Sequence, residues 1–192
     1  MSTVMDKAKS LIGHMLRNVH STSEKLASAK TPAHAAMSVS SNSFSAGMPI
    51  PMRYTQDAES YSPALSWNGI PSQTQSLVIV CEDPDAPSTE PIVHWIAYNI
   101  PGTATGMPEA VPAGAIPGGG LQGKNYNGQE QYIGPKPPLG HGVHHYHFQV
   151  FALDQTLTFQ EPPDKDALVK AMQNHVLAEG EVVGTYERSV DD

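Results

Sequence analysis

At 192 residues the chain is long enough for one domain with a sizeable hydrophobic core. It carries 11 Lys and Arg against 19 Asp and Glu, a formal charge of −8 with no basic stripe, which argues against nucleic acid as a partner. The single cysteine, Cys81, excludes an internal disulfide, and no run approaches the roughly 18 apolar residues of a membrane span, so the expected compartment is the cytoplasm and no transmembrane segment is expected.

The first element is helical. Met5, Ala8, Ile12, Met15 and Val19 recur at helical spacing over residues 4–20, and this stripe is expected to bury against the domain or a partner. A second copy of the chain could supply that cover, giving a homodimer, and a membrane surface is the weaker option. The Ser/Ala/Thr-rich stretch that follows reads as a linker, so residues 1–36 form a helix and linker ahead of a domain over 37–192.

From residue 37 the texture is that of a β protein, with Gly and Pro clustered between apolar runs. The segment 37–44 alternates like a strand. The run SLVIVCE, 76–82, is continuously apolar and suits a central strand covered on both faces. The segments 92–100 and 143–154 follow as further strands, separated by a long Gly/Pro-rich stretch. The spacing over 163–180, from an Asp-rich start to a closing glycine, predicts one helix, and 181–188 reads as a last strand. No internal repeat is visible. Long irregular loops in a compact domain are commonly functional, which directs the search to them.

Four histidines, His141, His144, His145 and His147, fall within seven positions, but strand alternation splits them. His144 and Tyr146 share a face with Phe148, Val150 and Ala152, which points into a core. His145 and His147 lie on the opposite face. His94 likewise shares a face with Ile92, Ile96, Tyr98 and Ile100. Directly after the apolar run, Asp83 and Asp85 flank Pro84 in a stiff extended segment that continues to Pro87.

These residues leave several chemistries open. Asp83, His94 and His144 could converge on a zinc ion, although there is no HExxH helix and no cysteine pair, and no metal or other cofactor is expected. There is no GxSxG elbow, and Cys81 in its apolar run reads as a small core residue. The Gly-rich stretch 117–129 follows no apolar strand and opens no helix, so it is not a phosphate loop.

The run DPDAP at 83–87, then HW at 94–95, then GPKPPLGHGVHHYHF from 134, in that order, resembles the phosphatidylethanolamine-binding proteins, also called Raf kinase inhibitor-like proteins, and most closely their bacterial branch. GMPIPMRYTQDAESYSPALSWNGIP and VVGTYER are similar to that branch as well, so the resemblance covers roughly residues 37–188. It implies a mainly β fold, a large antiparallel sheet packed on a smaller one with peripheral helices, here with an extra N-terminal helix. It also implies a small pocket for phosphate or a phospholipid headgroup. By motif match, Asp83, Asp85, Ala86 and Pro87 make one wall, His94 another, and Gly134, Pro137 and Pro138 the rim. His144 and Tyr146 take the family's HRY positions. Two residues depart: His145 stands at the second HRY position, and Lys136 stands where animal members have glycine. The helical segment that covers the pocket in animal members has no match. Asp83 is cast as the group that orients His94 or ties down its loop, since a carboxylate repels an anion.

The expected function is therefore a small-anion or headgroup binding protein, acting as a scaffold or regulator with a protein partner in the manner of a kinase inhibitor. An enzyme is the less favoured reading: a hydrolase or isomerase with Asp83 and His144 as its acid–base pair.

Overall fold

A computed structural model describes residues 2–17, 19–22 and 26–189. Its elements in chain order are α1 (Ser2–Met15), α2 (Ala27–Lys30), β1 (Ala35–Ala36), β2 (Ser38–Ser40), a 3-10 turn (Met52–Tyr54), β3 (Leu65–Asn68), β4 (Ser76–Asp83), β5 (Ile92–Pro101), β6 (Gly106–Met107), β7 (Leu121–Gln122), β8 (His144–Leu153), α3 (Lys165–Met172) and β9 (Val176–Tyr186). Six strands form one sheet in the order β1-β9-β8-β4-β5-β7, and three form a smaller sheet in the order β2-β3-β6. The large sheet is mixed, because the edge strand β1 runs parallel to β9 while the other pairs are antiparallel.

The central strand β4 is buried along its whole length, as its unbroken apolar run requires. Its alternate side chains feed two cores. Leu77, Ile79 and Cys81 join Phe148, Val150 and Trp95 of the large sheet with Leu65, Trp67 and Met107 of the small one. Val78 and Val80 face the other way, packing with Ile96, Phe151 and Leu153 beneath Ala27, Leu168 and Met172 of the two short helices. Each large side chain so buried contributes about 1.5–3 kcal/mol. Cys81 is a core residue in fact, and burial pushes its thiol well up, so it remains protonated.

Three elements differ from the sequence expectation. The helix expected over 163–180 stops at Met172, because Asn174 takes a left-handed backbone (φ 66°) and turns the chain into β9 four residues before Gly180. The strand expected over 37–44 is confined to Ser38–Ser40, where pairing with β3 ends. Within the Ser/Ala-rich stretch read as linker, α2 covers part of the second core and β1 extends the sheet; residues 23–25 of that stretch lie outside the described residues.

Helix α1 does not bury its apolar stripe against its own domain. Met5, Leu11, Ile12, Met15 and Val19 are all exposed, Met15 to 76%. The helix is held instead by its narrow polar side, where Ser10 and Gly13 are buried against the loop before β8. A Cβ on Gly13 would lie 2.0 Å from the Leu139 carbonyl oxygen, so only glycine permits this approach. No helix among the described residues is long and apolar enough to cross a membrane.

Candidate functional site

Where β4, β5 and β8 end together, their terminal side chains surround a cavity of about 250 Å³. Antiparallel pairing brings the C-terminal end of β4 beside the N-terminal ends of β5 and β8, so Asp83, His94, His144 and Tyr146 meet although far apart in sequence. Ala86 and Pro87 close one side and Pro137 and Pro138 the other.

Asp83 is fully employed inside the protein. Its Oδ1 accepts from the backbone N–H groups of Asp85 (2.9 Å) and Ala86 (3.1 Å), pinning the 83–86 turn. Its Oδ2 accepts from His144 Nδ1 at 2.8 Å. The ring that Asp83 orients is therefore that of His144, and it ties down its own loop as well. His144 has no nitrogen to spare, because its Nε2 shares a hydrogen bond with His141 Nδ1 at 2.7 Å.

His94 stands across the cavity. Its Nδ1–H donates to the Ile133 carbonyl at 2.7 Å, which leaves Nε2 as the ring's remaining polar atom in a residue lining the cavity. Burial lowers its pKa, more than the nearby Asp83 charge raises it, so the ring is neutral at neutral pH and Nε2 offers a lone pair. Edge-on to it lies Tyr146. Among the described residues the Tyr146 hydroxyl is buried with no partner at good hydrogen-bond geometry; the acceptor it approaches is the Asp83 carboxylate, whose two oxygens already accept from Asp85, Ala86 and His144. Burial first, and the Asp83 charge second, push that phenol well up, so it is an O–H donor at any physiological pH.

Two of the motif residues stand back from the cavity. Asp85 turns outward, where its Oδ2 accepts from both the backbone N–H and Nδ1 of His145. Gly134 packs behind the rim: a Cβ there would come within 2.4 Å of the Tyr54 carbonyl oxygen, and its own carbonyl accepts from Gln56 Nε2. The cavity gains Gln56, Ser88 and Tyr126, which strand phase could not reveal because they enter from separate loops, and it is lined as well by Lys136 and by Ile92, which strand phase set on the face of His94. His145 is exposed, and His147 is tied to Glu181 at 2.9 Å, so neither enters the cavity.

No group of three or more His, Cys, Asp or Glu side chains among the described residues is arranged to hold a metal ion. A larger cavity, about 510 Å³, lies beside Gln149 and Phe151 on the opposite face of β8. Its unpartnered Glu179 Oε2 belongs to a half-buried carboxyl whose pKa burial raises, and protonation relieves much of that desolvation cost. The smaller cavity is where titratable groups and an orphaned donor converge.

Residues 40–187 match the family model for phosphatidylethanolamine-binding protein. The chain belongs to the phosphatidylethanolamine-binding protein family. A relative from Methanothermobacter thermautotrophicus, named UPF0098 protein, is 44% identical over 153 residues, 79% of this chain and 99% of that one. Among solved structures, a family homologue from Chlamydia trachomatis is 36% identical with a TM-score of 0.73, over 80% of this chain and 98% of the other. YbcL of Escherichia coli, described as a new member of the mammalian PEBP family, is 29% identical with the same TM-score, over 80% and 99%. The family match begins at residue 40, after α1, α2 and β1.

Proposed function

We propose that the chain binds a small oxyanion, a phosphate or a phospholipid headgroup phosphate, in the cavity between Asp83, His94 and Tyr146. The observation that carries this reading is the Tyr146 hydroxyl, a buried donor without a partner. Leaving such a group unpaired costs about 1–3 kcal/mol, and an anion's oxygen restores that bond. His94 Nε2, neutral and bare, complements a protonated phosphate oxygen, and Lys136 at the rim adds a positive charge. The cavity falls below the roughly 300–1,000 Å³ of sites for drug-sized ligands, which suits a headgroup better than a larger substrate.

Regulation of a protein partner belongs to the same reading, with anion occupancy as the signal; family membership supports it. Acid–base catalysis by Asp83 and His144 is disfavoured, since both ring nitrogens of His144 and both oxygens of Asp83 are already bonded. Titration of the purified chain with phosphate, phosphoethanolamine and vesicles containing phosphatidylethanolamine tests the reading. Saturable binding of at least one, lost in Tyr146→Phe, supports it. No binding of any of the three overturns it.

A further inference from the structure

A chain of three hydrogen bonds joins the cavity to α1. Asp83 Oδ2 meets His144 Nδ1 at 2.8 Å, His144 Nε2 meets His141 Nδ1 at 2.7 Å, and His141 Nε2 meets the Leu16 carbonyl at 2.7 Å. Both ends are oxygens, one a carboxylate and the other a carbonyl. Three bonds need three protons, wherever each sits within its pair, yet two neutral imidazoles carry only two. The docked arrangement therefore holds one proton more than the two histidines carry when neutral. That proton cancels the charge of Asp83 and sits against the carbonyl end of α1, where a helix favours a cation.

We propose that α1 is a proton-linked latch on the anion pocket: it docks on the 139–141 loop when the His141–His144 pair takes up a proton, and it releases as that proton leaves. Without Leu16 at its side, His141 Nε2 has no carbonyl to satisfy and the pair can rest with two protons. While the free pair holds two, the docking constant falls tenfold for each unit of rising pH. The remaining contacts of the latch are fixed and close: Arg17 donates to the Gly140 carbonyl at 3.1 Å, the His14 ring packs on Gly140, and Gly13 lies on Leu139. The titratable and charged groups around the pair are Asp83 and Asp85 after β4, His94 of β5, Tyr146 of β8, His14 and Arg17 of α1, Lys136 of the rim, and Arg188, whose backbone carbonyl accepts from Gly140. Arg17 opposes the extra proton and Asp83 favours it.

The consequence for the pocket, which rests on the anion-binding reading, follows from charge. With the extra proton the Asp83–His144–His141 unit is neutral; without it the pocket wall carries a net negative charge that repels an anion. Docking of α1 and anion binding therefore strengthen one another, by the same factor in each direction.

The test uses the full chain. Imidazole nitrogen NMR counts the protons on His141 and His144, and amide exchange, expressed as protection factors, follows α1 from about pH 5.5 to 8.5. Three protons on the pair are expected while α1 is protected, with protection falling about tenfold per pH unit at the upper end. Gly13→Ala should abolish α1 protection at every pH and leave β8 protected, because its methyl meets the Leu139 carbonyl. His141→Ala should leave any remaining protection independent of pH. Two protons on the pair with α1 still protected, or protection flat with pH in the native chain, overturns the latch. Phosphate titration of native and Gly13→Ala chains reads the coupling, with affinity expected to fall about fivefold or more in the variant at pH 6.5. Equal affinity removes the coupling. No phosphate binding in either chain overturns the anion-binding reading, while NMR and exchange still judge the latch.

Discussion

The ring of His94 stands edge-on to that of Tyr146, with centroids 5.1 Å apart and planes at 82°, so a neutral lone pair and a phenolic O–H address one small cavity. Tyr146→Phe separates binding from stability. The ring packing is retained, and the buried hydroxyl it removes has no partner to leave behind. Thermal unfolding of the unliganded variant should be unchanged or occur at a higher temperature. Phosphate affinity should fall by about 1.5–3 kcal/mol, the worth of a hydrogen bond to a charged group. A variant that loses stability without losing affinity would make this hydroxyl a structural group.

The lowered pKa of His94 fixes the sign of a second prediction. Above its ordinary value of 6.5 the ring is neutral in both native and unfolded states. Below 6.5 the unfolded chain takes up a proton that the buried native ring resists, so this histidine's contribution to stability is lost as pH falls through its depressed native pKa. A bound anion favours the imidazolium, so anion binding takes up a proton and tightens over the same range. Sulfate keeps its charge there and is the suitable probe. In a Gly13→Ala background, where α1 contributes nothing, sulfate affinity should rise from pH 7.5 to 5.5, and adding His94→Gln should make the slope shallower. An unchanged slope would remove His94 from the site.

The strands that build the pocket were legible because their patterns are strong: an unbroken apolar run for β4, and alternation that placed His144 and Tyr146 on the inner face of β8. Alternation also placed His145 and His147 away from the cavity. What the pattern could not carry is contact between distant segments. His141 lies in a Gly-rich loop with no period, so neither its bond to His144 nor the resulting loss of a free nitrogen on His144 could be read from spacing. Gln56 and Tyr126 enter from loops for the same reason. Around 173–180 the apolar spacing of Val176 and Leu177 continues a helical rhythm, and only the left-handed turn at Asn174 ends it. In α1 the amphipathic pattern was real, but a small residue on the polar side decided which face docks.

The two outer histidines give a third prediction. His145 pairs with Asp85 and His147 with Glu181, both at the surface or close to it. Such pairs are worth about 0–1 kcal/mol. His145→Ala and His147→Ala should each leave phosphate affinity within about twofold of the native value and cost little stability. A tenfold loss at either position would place that face of β8 in the binding site.

The last prediction concerns the charge beneath the helices. Glu82 of β4 is completely buried, and its Oε2 accepts from the Ala27 backbone N–H at 2.8 Å and from Gln149 Nε2 at 2.7 Å. Its Oε1 meets the ammonium of Lys165 at the start of α3, itself nearly buried. This cluster fastens both α2 and α3 to the sheet, on the face opposite the pocket. Lys165→Met keeps the stem's packing but strands a buried carboxylate, and breaking such a pair costs about 3–5 kcal/mol. Lys165→Met with Glu82→Gln should recover most of it, since the amide still accepts from Ala27 and carries no charge. Urea unfolding of the two variants measures the difference. Anion affinity should be untouched in the folded fraction of both. A Lys165→Met chain as stable as the native one would show that the Lys165 contact contributes nothing.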